Sequence, residues 1–98
     1  MKLAAFVSDY RNTVTTFDRL KPEKLGIILV QNGVYHATVK EEGNTSALLN
    51  NSADFYVLQE DLETRGYTSS DVDSKVKVIT IADVVDLIFN EYEKTAWI

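Results

Sequence analysis

The 98-residue chain contains no cysteine. That absence excludes disulfides, thiolate metal sites and any sulfur nucleophile, and it fits a reducing compartment. There is one proline, one histidine and four glycines, so neither a proline-rich linker nor a glycine-rich phosphate loop is present. The longest apolar run, "LGIILV", is six residues, against the roughly 20 that a membrane-spanning helix requires. The opening "MKLAAFVSDYRN" has a single Lys and a short apolar run that soon meets Ser8, Asp9 and Arg11. It lacks the apolar core and small-residue cleavage site of a signal peptide. A soluble, cytoplasmic, single-domain protein is the expectation, and "NTS" at Asn44 and "NNS" at Asn50 then read as loop residues. Basic charge is scarce in the second half. Residues 1–49 are nearly balanced at +1, whereas residues 50–98 carry ten acids against four bases, giving −5 overall. Such a surface cannot hold phosphate backbones by itself, so direct nucleic-acid binding is not expected.

What is present alternates between strand and helix patterns. "KLAAFV" (2–7), "LGIILVQ" (25–31), "DFYVLQ" (54–59) and "KVKVITI" (75–81) read as strands. The second is continuously apolar, as in a parallel strand buried on both faces. Helical patterns fall over 12–20, where Val14, Phe17 and Leu20 recur at threes, and over "VYHATVK" (34–40). Another covers "EDLETRG" (60–66), with Gly66 at C′. The last is "ADVVDLIFNEY", with a buried stripe expected through Ile81, Val84, Val85, Ile88 and Tyr92. Thr80 and Asp83 form a capping-box pattern at its start. Residues 41–46 and 67–74 read as loops, and 47–49 as a helical turn. The fold expected is one three-layer α/β/α domain, residues 1–98, with a mainly parallel sheet of four or five strands. Trp97, in the tail "EKTAWI", is expected to dock on its own domain or on a neighbour, because a free tail would expose a large ring.

Candidate chemistry gathers where strands end, the edge at which open α/β sheets bind ligands. Asp9 follows the first strand, Asn32-Gly33 the second, and Gln59-Glu60-Asp61 the third. Asp9, Glu60 and Asp61 could hold Mg²⁺ in a small phosphate-handling domain. A phospho-receiver site would need paired acids after strand one, a lone Asp ending strand three and a later Lys; "VSDY", Gln59 and Thr80-Ile81 fail at each point. The simpler reading of Glu60 and Asp61 is first-turn acids complementing a helix dipole. Arg65 then pairs with Asp61 or Glu63 on the surface, and His36 is a half-buried polar residue on its helix.

Three segments, "ILVQNGVYHA", "FYVLQEDLETRG" and "VITIADVVDLIFNEYEKTAW", resemble the DsrH/TusB family of sulfur-relay proteins over roughly residues 25–98. The family usually opens with a His-Thr and Ser-Pro pattern, where "AAFVSDY" stands here. The resemblance implies a small, cofactor-free α/β subunit that assembles with DsrE/TusD-like and DsrF/TusC-like subunits, or with itself. It also implies a role in passing persulfide sulfur toward wobble-uridine 2-thiolation of tRNA or through dissimilatory sulfur metabolism. In the DsrE/TusD-type paralogue the persulfide cysteine stands at the end of the equivalent strand, a position that falls at Leu58 to Gln59. Some family members carry another cysteine near the place of Phe17. Both places lack a thiol, and persulfide transfer needs one. The implied role is a non-catalytic accessory subunit that does not carry sulfur. Its binding or interface residues would be Asn32, Gly33, Tyr35, Gln59, Glu60, Asp61, Arg65 and Trp97. A stand-alone homodimeric binding protein is the remaining alternative.

Overall fold

The computed structural model describes residues 2–8, 23–39, 49 and 53–97. Five parallel strands form one sheet in the order β4-β3-β2-β1-β5. They are β1 (Lys2–Val7), β2 (Lys24–Leu29), β3 (Asp54–Leu58), β4 (Val76–Ile79) and β5 (Lys94–Trp97). Helix α1 (Tyr35–Thr38) follows a 3₁₀ turn at Gln31–Val34, α2 (Gln59–Thr64) follows β3, and α3 (Ile81–Glu91) follows β4. A further 3₁₀ turn, Ser69–Asp71, precedes β4. The helix expected over 12–20, the loop at 41–46 and Asp9 lie outside the described residues. Of 47–49 only Leu49 is described, and it is buried.

Strand alternation sorts side chains onto two unequal faces. Leu3, Ala5 and Val7 of β1, Leu25, Ile27 and Leu29 of β2, and Phe55 and Val57 of β3 enter one large core with Val34, Ala37, Leu49 and Leu62. This face takes α1 and α2. The opposite face carries a smaller cluster of Ala4, Ile28, Val30 and Tyr92, with Phe6, Tyr56, Leu58, Val84 and Leu87 packed against it. Among the described residues only α3 covers that face.

Two features of the expected architecture change in detail. Residues 94–97, expected only as a docking tail, supply the fifth of the four or five strands expected, in register with β1 from Leu3↔Lys94 to Phe6↔Trp97. Four residues with one tryptophan and one threonine carry too weak a pattern to announce a strand. It forms because the open edge of β1 offers unpaired backbone groups. The second correction concerns α3, which has no fully buried residue. Val84 and Leu87 face the sheet and Tyr92 is buried just past the helix, whereas Ile81 and Val85 are 55% and 47% exposed. The apolar arc of α3 is wider than one helix can press onto a sheet. Burying Val84 and Leu87 leaves Ile81, Val85 and Phe89, at i, i+4 and i+8, on an open flank.

Local signals for the helix ends did hold. Gly66 has φ +80°. Its N–H bonds to the Glu63 carbonyl at 3.0 Å, and that of Tyr67 bonds to the Leu62 carbonyl at 3.1 Å, which is a Schellman motif. At the start of α3, Thr80 Oγ1 accepts from Asp83 N at 3.3 Å and Asp83 Oδ2 accepts from Thr80 N at 3.1 Å, the reciprocal pair of a capping box.

Candidate functional site

The carboxyl edge of the sheet is tied together by the segment Gln59–Arg65. Glu60 and Asp61 occupy the first turn of α2, where a helix dipole favours acids, but their oxygens have a more specific use. Asp61 Oδ2 accepts the backbone N–H of Gln31 at 2.7 Å. Glu60 Oε2 accepts the backbone N–H of Ile81, the first residue of α3, at 3.2 Å. One acid thus anchors the exit of β2 and its neighbour anchors the exit of β4, both across gaps of 20 or more residues in sequence. The first of these ties holds an unusual backbone. Gln31 has φ +50°, the sole non-glycine in the left-handed region among the described residues, a conformation that costs a side-chain-bearing residue about 1–2 kcal/mol.

Arg65 completes the arrangement from the other end of α2. Its Nε and Nη2 reach Asn32 Oδ1 at 3.3 and 3.1 Å, and its Nη1 reaches the Asp61 carbonyl at 3.2 Å. The guanidinium therefore caps its own helix and grips the β2 exit, in place of the surface ion pair with Asp61 or Glu63 expected from spacing. Glu63 instead accepts from Gln59 Nε2 at 3.0 Å.

Gly33 lies in the 3₁₀ turn that folds over the end of β1, and a Cβ there would collide with the Val7 carbonyl. Only glycine permits that approach. His36 is 3% exposed, more buried than its position had suggested, because α1 presses directly on the large core. Of the eight expected site residues, the structure joins Asn32, Gly33, Gln59, Glu60, Asp61 and Arg65 at one edge. The ring of Tyr35 turns away to meet Tyr67 edge-on at 6.2 Å.

Trp97 ends β5 on the same edge, on the face that α3 covers. It stacks on Phe6, with ring centroids 5.2 Å apart and planes inclined by 18°, yet stays 63% exposed. Between Trp97 and the first turns of α3 opens a cleft of about 240 Å³. Its floor is Phe6, Val30 and Leu58, its walls include Val85 and Trp97, and Asp61 stands at its border. Leu58, the last residue of β3, is thus an apolar floor residue with no chemistry of its own.

No group of three or more His, Cys, Asp or Glu residues suited to a metal ion occurs among the described residues. Of the acids considered for Mg²⁺, Glu60 and Asp61 are spent on backbone N–H groups, and Asp9 lies outside the described residues. No helix among those described is long and apolar enough to cross a membrane.

Sequence reasoning missed Gln31, Ile81 and Val85 as parts of this edge. A left-handed glutamine has no sequence signature, but the over-wide apolar arc of "IADVVDLIF" was visible in principle.

Comparison with known proteins agrees with this architecture. Among solved structures, a protein of unknown function from Methanobacterium thermoautotrophicum superposes with a TM-score of 0.68 at 14% identity, covering 97% of both chains. A Thermotoga maritima protein determined in solution by NMR gives 0.60 at 27% identity, covering 90% of this chain and 93% of that one. Protein TusB from Yersinia pestis and from Yersinia pseudotuberculosis is 31% identical over 90 residues, which is 92% of this chain and 93% of the relative. The family model described as "DsrH like protein" matches residues 7–94, so the likeness begins well before the segment at residue 25. The chain belongs to the DsrH-like family.

Proposed function

We propose that this protein is a non-catalytic accessory subunit of a sulfur-relay complex, one that positions partner subunits and does not carry sulfur itself. The observation that carries the reading is the composition of the carboxyl edge of β3. On this reading, the carrier thiol of the DsrE/TusD-type paralogue would fall at Leu58 to Gln59. Here Leu58 floors an apolar cleft, Gln59 bonds to Glu63, and the chain has no cysteine anywhere. The neighbouring acids and Arg65 are occupied in holding loops, an arrangement that supports a rigid recognition edge over a reactive one. The partners proposed are DsrE/TusD-like and DsrF/TusC-like subunits. Asn32, Gly33, Tyr35, Gln59, Glu60, Asp61, Arg65 and Trp97 form or support the binding edge.

The test combines two measurements. Incubated with a cysteine desulfurase and cysteine, the purified chain should release no cyanolysable sulfur, whereas a DsrE/TusD-like subunit treated alike should. Native mass spectrometry of the mixed subunits should show this chain in a defined hetero-oligomer. Stoichiometric sulfane sulfur on this chain, or persistent failure to assemble with either paralogue, would overturn the reading.

A further inference from the structure

The flank of α3 that does not touch the sheet leaves a continuous apolar surface. Ile81, Val85 and Phe89 are 55%, 47% and 82% exposed, and Trp97 across the cleft is 63% exposed. Those four are the exposed large hydrophobics among the described residues, and they border one cleft and one helix flank. Single exposed apolar residues need no explanation, but a contiguous group of this kind marks a contact surface.

Size and charge decide what covers it. The cleft's 240 Å³ is below the ~300 Å³ at which small-molecule sites begin, so it suits one inserted side chain better than a cofactor. The surroundings are acidic. Asp61 borders the cleft, Glu60 is bonded to Ile81, and Asp86 lies three residues before Phe89 on the helix surface. Residues 78–93 contain four acids and no Lys or Arg. A second copy packed through α3 would set these acids against their own counterparts, since a twofold interface brings the same patch to itself. Like charges at close quarters disfavour a complex.

We propose that this surface docks a different polypeptide, one that inserts an aliphatic or aromatic side chain between Trp97 and Val85 and lays lysines or arginines against Asp61 and Asp86. The inference rests on the accessory-subunit reading and adds to it where the partner sits and what its surface must carry. Trp97, already stacked on Phe6, is held in place as a rigid wall, so little side-chain entropy is lost on docking. The ties from Glu60 to the start of α3 and from Asp61 to Gln31 fix the two lips of the cleft. This gives the acids at the start of α2 a purpose beyond the helix they cap.

The experiment titrates purified DsrE/TusD-like and DsrF/TusC-like subunits into this chain by calorimetry at low and moderate salt. The chain is labelled with 5-fluorotryptophan so that its single Trp is followed by ¹⁹F NMR whatever the partner contains. The wild type should bind one of the two, shift the Trp97 resonance on binding, and weaken as salt rises. Phe89→Asp and Trp97→Ala should each weaken binding by about tenfold or more, as buried interface anchors do, with unchanged far-UV spectra. Asp86→Lys should weaken binding and flatten its salt dependence. If the wild type binds a paralogue but these variants bind equally well and the ¹⁹F resonance stays put, the surface is wrongly placed while the accessory-subunit reading survives. A wild type that sediments as a homodimer dispersed by Phe89→Asp would show that the occupant is a second copy. Binding to neither subunit would overturn both readings together.

Discussion

Replacing Asp61 by alanine isolates the tie that shapes the carboxyl edge. Asp61 Oδ2 takes the Gln31 N–H at 2.7 Å, and a hydrogen bond to a charged group contributes about 1.5–3 kcal/mol net. Gln31 is exposed, so water can satisfy its N–H once the carboxylate is gone, which moves the loss to the low end. Release of the left-handed backbone offsets a further part, since that conformation at φ +50° itself costs about 1–2 kcal/mol. The net expectation for Asp61→Ala is a destabilisation of about 0.5–1 kcal/mol, or roughly 2–8 °C in Tm for a domain of this size. Gln31→Gly should be neutral to stabilising, because glycine adopts the conformation without strain. The two sites share one contact, so a double-mutant cycle by urea denaturation should show a coupling of about 0.5 kcal/mol or more. Asp86→Asn, an exposed acid on α3, should stay within about 0.5 kcal/mol of wild type. If Asp61→Ala costs no more than Asp86→Asn and shows no coupling to Gln31, Asp61 is only a solvated acid on a helix dipole, and the tie does no structural work.

Four further outcomes follow from the less covered face of the sheet and from the acids. A Cβ at Gly26 would collide with the Tyr92 ring and hydroxyl, so Gly26→Ala should cost about 1–3 kcal/mol by overpacking, and Tyr92→Leu should recover part of it in a chemical-denaturation series. Burial pushes the Tyr92 hydroxyl well above the ordinary tyrosine range, aided by its coupling to Tyr56, which burial also raises. A raised folded pKa protects the fold below about pH 10, the unfolded value, and that contribution is lost as pH climbs toward the folded pKa. Absorbance titration should therefore show Tyr92 and Tyr56 ionising late and together with unfolding. Because Tyr92 Oη is buried without a hydrogen-bond partner among the described residues, Tyr92→Phe should leave neutral-pH stability equal or higher and move the alkaline transition upward. Addition of millimolar Mg²⁺ should leave the melting temperature unchanged, since Glu60 and Asp61 already serve backbone donors; a saturable rise would revive the metal-site alternative.

What the sequence by itself determined was everything that short-range chemistry controls. The apolar run of β2, the Schellman glycine at Gly66 and the Thr80–Asp83 capping box each involve residues within a few positions of one another, so the pattern and the cause coincide. The missing cysteine likewise needs no fold to exclude a cysteine thiolate. The tertiary structure decided what depends on neighbours distant in sequence. It turned residues 94–97 into a strand because β1 left an edge open. It directed Glu60 and Asp61 to Ile81 and Gln31, contacts spanning 21 and 30 residues that no local spacing encodes. It also settled which part of α3's apolar arc is buried. The sequence shows six large apolar side chains on that helix, but only packing against a sheet that already holds Tyr92 over Gly26 sets Val84 and Leu87 against the sheet and leaves Ile81, Val85 and Phe89 to face outward.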